Sequence, residues 1–204
     1  MVYDGAVARY VPRDAAYRRA QKSGYRSRAA LKLLELDKKF RLFRPGARVV
    51  DLGCWPGGWL QVAAELVGAS GLVVGIDTRP VEGLGLANVR TLVGDVTEDR
   101  ATDGVRTELG GAADIVISDL APKLTGIREV DGTRQIELYT AMLACCARLL
   151  GEGGHAVVKL FSDTENDAIG MLEGPFASCS AFRPASTRKG SSEIYGVCRT
   201  YTSP

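Results

Sequence analysis

Val49-Val-Asp-Leu-Gly-Cys-Trp-Pro-Gly-Gly-Trp59 is the stretch whose reading decides the fold. Two β-branched residues lead to Asp51, Gly53 permits a tight turn, and Pro56 followed by Gly57 and Gly58 opens a helix. The apolar positions of that helix are Trp59, Val62, Ala63 and Leu66, at helical spacing. A strand, a glycine turn and a helix in this order place a ligand beyond the carboxyl end of a parallel strand, where open α/β sheets bind their cofactors.

The same unit recurs along the chain. Strands are predicted over 48–52, 72–76, 89–93, 114–118, 155–160, 177–183 and 193–199, and helices over 15–22, 27–40, 57–67, 98–109, 134–150 and 165–172. Strands alternating with helices imply an α/β fold with a mainly parallel seven-stranded sheet and helices on both faces. The last two strands lie close enough for a hairpin, so one of them is expected to be antiparallel. Residues 1–12 read as poorly structured, and Asp14 can cap the first helix. Residues 1–44 form a basic, helical N-terminal extension to a body spanning 45–204, the whole making one structural unit.

A chain of 204 residues with 46% hydrophobic and 25% charged residues suits a single large globular domain. No apolar run approaches the ~18 residues of a membrane span, and the N-terminus lacks the apolar core of a signal peptide, so the expected location is the cytoplasm. The five cysteines are odd in number and include no C-x-x-C pair, which favours reduced thiols and opposes a metal site. The single histidine, His155, opens an apolar strand and reads as structural, which leaves Ser-His-Asp chemistry weakly supported. Net charge is only +2, but residues 1–48 carry +9 and the remainder −7. A basic arm on an acidic body points to a polyanionic partner, and RNA or DNA is the obvious class.

Acidic residues end four successive strands: Asp51, Asp77, Asp95 and Asp119. Parallel strands deliver their carboxyl ends to one edge, so these groups should share a crevice. Asp77 suits a ribose diol, and Asp95 can accept from an adenine amine. A dinucleotide fingerprint needs G-x-G-x-x-G, but Trp55 stands where the second glycine belongs, which opposes a nicotinamide-dependent oxidoreductase. With Asp51 beside the turn, the site favours an ammonium group over a diphosphate. S-adenosylmethionine, with an adenosine end and an amino-acid end, meets every part of this description.

Four more residues strain a purely structural account. Lys32 lies on the helix before the sheet, Asp119 ends the fourth strand, Lys159 sits inside an apolar strand, and Glu193 opens the last one. Singly, each could be a surface lysine, a strand-end cap, a snorkelling lysine or a hairpin carboxylate. Together, Gly24-Tyr-Arg-Ser-Arg-Ala-Ala-Leu-Lys-Leu33, the 50–59 motif, Ser118-Asp-Leu-Ala-Pro122, Val157-Val-Lys-Leu-Phe161 and Ser191-Ser-Glu-Ile-Tyr195 resemble the FtsJ/RrmJ-type RNA 2′-O-methyltransferases, in order, from about residue 15 to 197. The resemblance implies a Rossmann-like class I methyltransferase fold and a catalytic Lys-Asp-Lys-Glu tetrad at Lys32, Asp119, Lys159 and Glu193. It implies an S-adenosylmethionine site at Asp51, Gly53, Gly57, Gly58, Trp59, Asp77, Asp95 and Asp119. Members of this size and layout modify a uridine of large-subunit ribosomal RNA, so the implied partner is that RNA within the large subunit, met by a monomer without metal.

On this reading Lys159 is the general base that removes the 2′-hydroxyl proton. Burial and the nearby Lys32 cation would lower its pKa, while Asp119 and Glu193 would push it back up. Arg13, Arg18, Arg19, Lys22, Arg26 and Arg28 would face the RNA, with Arg188 and Lys189 across the cleft. Three places depart from the family pattern: the bulky Cys54-Trp55 pair, Lys123, and the acidic stretch 161–167. A transfer-RNA or messenger-RNA-cap 2′-O-methyltransferase would share the tetrad. A non-catalytic RNA-binding ribosome-assembly protein would keep the fold without needing all four residues.

Overall fold

The computed structural model describes residues 15–202, so the readings made for residues 1–12, Arg13 and Asp14 lie outside the described residues. Seven strands, β1 (Arg48–Leu52), β2 (Leu72–Asp77), β3 (Val89–Val93), β4 (Ala113–Ser118), β5 (Leu150–Phe161), β6 (Phe176–Phe182) and β7 (Glu193–Tyr201), make one sheet. Their spatial order is β3-β2-β1-β4-β5-β7-β6. The pairs β1–β2, β1–β4, β2–β3 and β4–β5 are parallel, and β7 runs antiparallel to both β5 and β6. The chain order reverses between β1 and β4, which is the switch point where ligands of such sheets sit.

Six helices accompany the sheet: α1 (Ala15–Lys22), α2 (Ala29–Phe40), α3 (Gly58–Val67), α4 (Asp99–Leu109), α5 (Arg128–Leu149) and α6 (Glu165–Glu173). Side chains alternate across each strand, and the alternation divides the core into two layers. Val50, Leu52, Ala156, Val158, Leu160 and Ile194 meet α4, α5 and α6. Val49, Val157, Tyr195 and Val197 meet α2 and α3 through Leu33, Leu36, Leu60 and Val62. By the same alternation, the ionisable residues Asp51 and Lys159 belong to the α2/α3 face. The basic N-terminal helix α2 is therefore an integral cover of the sheet.

Two elements begin earlier than expected. Helix α5 starts at Arg128, because buried Asp131 in its first turn receives the N–H groups of Thr125 and Gly126 and shapes the approach. Strand β5 starts at Leu150, where Gly151, Gly153 and Gly154 conceal the strand from a propensity reading. The expectation of five reduced thiols is also corrected. Cys179 stands directly opposite Cys198 in the β6–β7 ladder and is joined to it as a disulfide, while Cys54, Cys145 and Cys146 remain buried free thiols. Cross-strand register brings the pair together, and spacing in sequence carries no sign of it.

Candidate active site

Lys32, Asp119, Lys159 and Glu193 come from four different elements and meet at the carboxyl edge of the parallel strands. Lys159 is buried near the end of β5, and Glu193 opens β7 two residues away in the antiparallel register. Asp119 directly follows β4. Helix α2 lays its apolar face on the sheet, which brings Lys32 over the same spot, also buried. The Lys159 ammonium donates to the Asp119 carboxylate at 2.8 Å and to the Asp119 carbonyl at 2.7 Å, and lies 3.2 Å from Glu193 Oε1. Lys32 Nζ reaches both Glu193 oxygens at 3.2 and 3.3 Å, with Asp119 Oδ1 at 4.0 Å.

A fifth member, absent from the sequence candidates, completes this network. The Tyr195 hydroxyl donates to Asp119 Oδ1 at 2.5 Å and accepts from Lys32 Nζ at 3.0 Å. Its ring is fully buried, 5.7 Å from that of Trp59. The available signal was strand periodicity, since residues i and i+2 share a face and Tyr195 lies two after Glu193.

Two buried lysines and two partly buried carboxylates balance one another's charge at contact distance. Burial works to lower the Lys159 pKa, but Asp119 and Glu193 outweigh it and the net direction is upward. The lowering expected from burial and Lys32 is thus reversed by the carboxylates at contact distance. Burial would raise the Glu193 pKa, yet Lys32 and Lys159 bring it down to about 2. Tyr195 is driven well above its usual range, first by burial and then by the Asp119 and Glu193 charges, so it stays a hydroxyl donor.

The other half of the crevice is built on β1, β2 and β3. Asp51 is buried on β1, and neither carboxylate oxygen has a hydrogen-bond partner among the described residues. Burial, then the charges of Asp119 and Asp77, raise its pKa well above the carboxylate range. Such a group calls for a cationic or hydrogen-donating ligand. Gly53 follows at φ 81°, and a side chain there would strike Leu120 at 2.2 Å. At Gly58 a β-carbon would lie 2.2 Å from the Ser27 hydroxyl. Helix α3 begins after Gly57 with no side-chain cap, so its first N–H groups are available to an anion.

Asp77, closing β2, accepts Trp55 N at 3.0 Å and Arg79 N at 2.9 Å. Asp95, after β3, is exposed and held by the backbone and hydroxyl of Thr97, which lower its pKa. Trp59 has its indole turned into the α2 layer, where Nε1 donates to the Ala29 carbonyl at 2.8 Å. What Trp59 presents at the helix start is its backbone. An unpartnered carboxylate for an ammonium, a helix start for a carboxylate and two further acids for a ribose and an amine fit the S-adenosylmethionine molecule group by group.

The basic arm divides. Arg18, Arg19 and Lys22 of α1 are exposed, as is Lys189. Arg26 instead donates to the carbonyls of Glu82 and Gly83 at 2.8 and 2.9 Å, tying the 82–83 loop to the glycine turn. Arg28 donates to the Ser186 carbonyl and tethers the 184–190 turn to the start of α2. Among the described residues no group of three or more His, Cys, Asp or Glu side chains could hold a metal ion, and no helix is long and apolar enough to cross a membrane.

Comparison with known proteins bears on this geometry. A family model described as FtsJ-like methyltransferase matches residues 25–201. A Methanothermobacter thermautotrophicus protein named ribosomal RNA large subunit methyltransferase E is 44% identical over 190 residues, covering 93% of this chain and 90% of its own. A protein of the same name from Methanothrix thermoacetophila is 46% identical over 186 residues, covering 91% and 71% respectively. Among solved structures, one from Plasmodium falciparum described as a ribosomal RNA methyltransferase superposes with a TM-score of 0.75 at 28% identity, over 88% of this chain and all of that one. A chain of a fibrillarin/Nop5p complex reaches a TM-score of 0.62 at 21% identity, over 85% of this chain and 80% of its own, a likeness of fold.

Proposed function

The chain belongs to the FtsJ-like methyltransferase family and is a methyltransferase, and from that premise we propose that it methylates a ribose 2′-hydroxyl, that of a uridine in large-subunit ribosomal RNA, using S-adenosylmethionine. The observation that carries the chemistry is the convergence of Lys32, Asp119, Lys159 and Glu193 within 2.8 to 4.0 Å at the carboxyl edge. The names of its close relatives support the substrate.

When bound, the cofactor supplies an electrophilic methyl on a sulfonium. Asp51 would hold its ammonium, the start of α3 at Gly58 and Trp59 its carboxylate, Asp77 the ribose diol and Asp95 the adenine amine, while Gly57, whose N–H goes to the Cys54 carbonyl, shapes the turn. Methyl transfer is an in-line displacement that needs the acceptor oxygen aligned and its proton removed as the new bond forms. Lys159 Nζ is the group placed to take that proton. Because its pKa is raised, Lys159 rests as an ammonium, and the reactive amine is a minority species formed when that ammonium loses its proton to water. Lys32 and Tyr195 hold those carboxylates in place, and Lys32 adds positive charge where the hydroxyl oxygen becomes anionic. The exposed cations of α1 and Lys189 offer phosphate contacts that position RNA without reading its sequence.

Mapping 2′-O-methyl groups on ribosomal RNA from cells with and without the protein tests this directly. One uridine of the large-subunit RNA should lose its methyl group. An unchanged ribosomal map with a lost mark on transfer RNA or a messenger cap would overturn the assignment of substrate.

A further inference from the structure

Trp55 has no role in the chemistry above, and it is 49% exposed in the turn between β1 and α3. A large aromatic left half open gains nothing for folding from its exposed area. Two features show that it is held in place. The Arg79 guanidinium lies over the indole, 4.8 Å from the ring centroid, within the range of a cation–π contact. Both backbones are also pinned on one carboxylate, Trp55 N on Asp77 Oδ2 and Arg79 N on Asp77 Oδ1.

The loop behind them is rigidly tied as well. A side chain at Gly57 would meet Leu84 and Val81 at 3.3 Å, and Arg26 fastens the carbonyls of Glu82 and Gly83. Asp77 is the carboxylate at the end of β2 where a nucleoside ribose is expected, and it fixes the backbones of the two residues that carry the indole and the guanidinium. A flat π-surface with a cation beside it suits a purine, which stacks on aromatic and guanidinium planes alike.

We infer that Trp55 and Arg79 form the outer wall of the subsite for the purine nucleoside end of the methyl donor, so that the indole is covered when that end binds. The inference rests on the S-adenosylmethionine reading of the crevice and adds two residues to it. It also gives the bulky side chain in place of the second glycine a use: the turn loses backbone access to a diphosphate and gains a stacking surface.

The chain has two tryptophans, and Trp59 is buried, so iodide quenching of indole emission reports on Trp55. S-adenosylhomocysteine and adenosine should each protect that emission from iodide, and methionine should leave it open. Trp55→Ala should weaken S-adenosylhomocysteine binding about tenfold by calorimetry, while Trp55→Phe, which keeps a ring, should stay within about threefold of the parent. Calorimetric binding of S-adenosylhomocysteine with unchanged iodide access and unchanged affinity in Trp55→Ala would overturn the wall and leave the cofactor reading standing. No binding of S-adenosylhomocysteine by the parent protein would overturn the cofactor reading and the wall with it. Protection by a short RNA alone would reassign the indole to the acceptor strand and overturn the wall.

Discussion

The two halves of the carboxyl edge solve the problem of buried charge in opposite ways. In the half proposed for the acceptor, Lys32, Asp119, Lys159, Glu193 and Tyr195 satisfy one another within 4.0 Å. In the half proposed for the cofactor, Asp51 is fully buried and its carboxylate has no hydrogen-bond partner among the described residues. The acceptor half is preassembled by the fold, with each charge balanced before any substrate arrives. The cofactor half carries a free-energy deficit, about 1–3 kcal/mol for an unsatisfied buried group, which a cationic ligand can remove. One half is built for geometry and the other for capture.

The most damaging way to break this contrast is Lys159→Ala. It should lower the single-turnover methylation rate by about 10³-fold or more while the cofactor dissociation constant stays within about twofold. The parent rate should also climb with pH through the alkaline range, because the raised Lys159 pKa keeps the amine scarce at neutrality. A variant retaining a tenth of the parent rate, or a parent rate flat in pH, would remove Lys159 as the base.

Asp51→Asn sharpens the comparison, since two quantities should move in opposite directions. Cofactor affinity should fall about tenfold, by loss of a buried charge pair, while the ligand-free protein gains about 1 kcal/mol. The sign with pH follows from the raised folded-state pKa. The folded protein keeps the Asp51 proton where the unfolded chain has lost it, so the parent loses stability relative to the variant as pH rises above the ordinary value of 3.8. Thermal melts of both proteins between pH 4 and pH 8 measure that gap, and a parent that stays the more stable at pH 8 contradicts the idea of an unsatisfied carboxylate.

Glu193→Gln should give the smallest effect on stability, one present at neutral pH and fading only in acid. The Glu193 pKa is brought down to about 2 in the folded state from 4.5, so its contribution is present above pH 4.5 and is lost as pH falls toward 2. The difference in Tm between parent and variant should therefore shrink over that window. A gap that stays constant down to pH 2 would mean that the carboxylate is not held by the two lysines.

Much of this was open to a reader of the chain. The short apolar strands alternating with helices, the helical spacing after Gly58 and the turn at Gly53 specify a doubly wound α/β sheet, because these are patterns in local sequence. The acids at strand ends mark one edge of that sheet, since parallel strands point the same way. The missing second glycine narrows the ligand, since backbone approach to a diphosphate depends on a local absence of side chains. Motif order proposes the tetrad, though only as four positions spread over 162 residues of sequence.

Tertiary structure alone decided how those positions behave. Whether Lys159 has a raised or lowered pKa depends on contacts of 2.8 and 3.2 Å, which the registers of β5 with β4 and with β7 create. The same β5–β7 register put Tyr195 into the network, and the register of β6 with β7 put Cys179 against Cys198. Arg26 reads as a cation for RNA, and only packing shows that this exposed side chain also fastens two loop carbonyls. Residue type and spacing determine which chemistry is possible because they are local. Distance, burial and charge balance arise between segments far apart in the chain, so only the folded chain sets them.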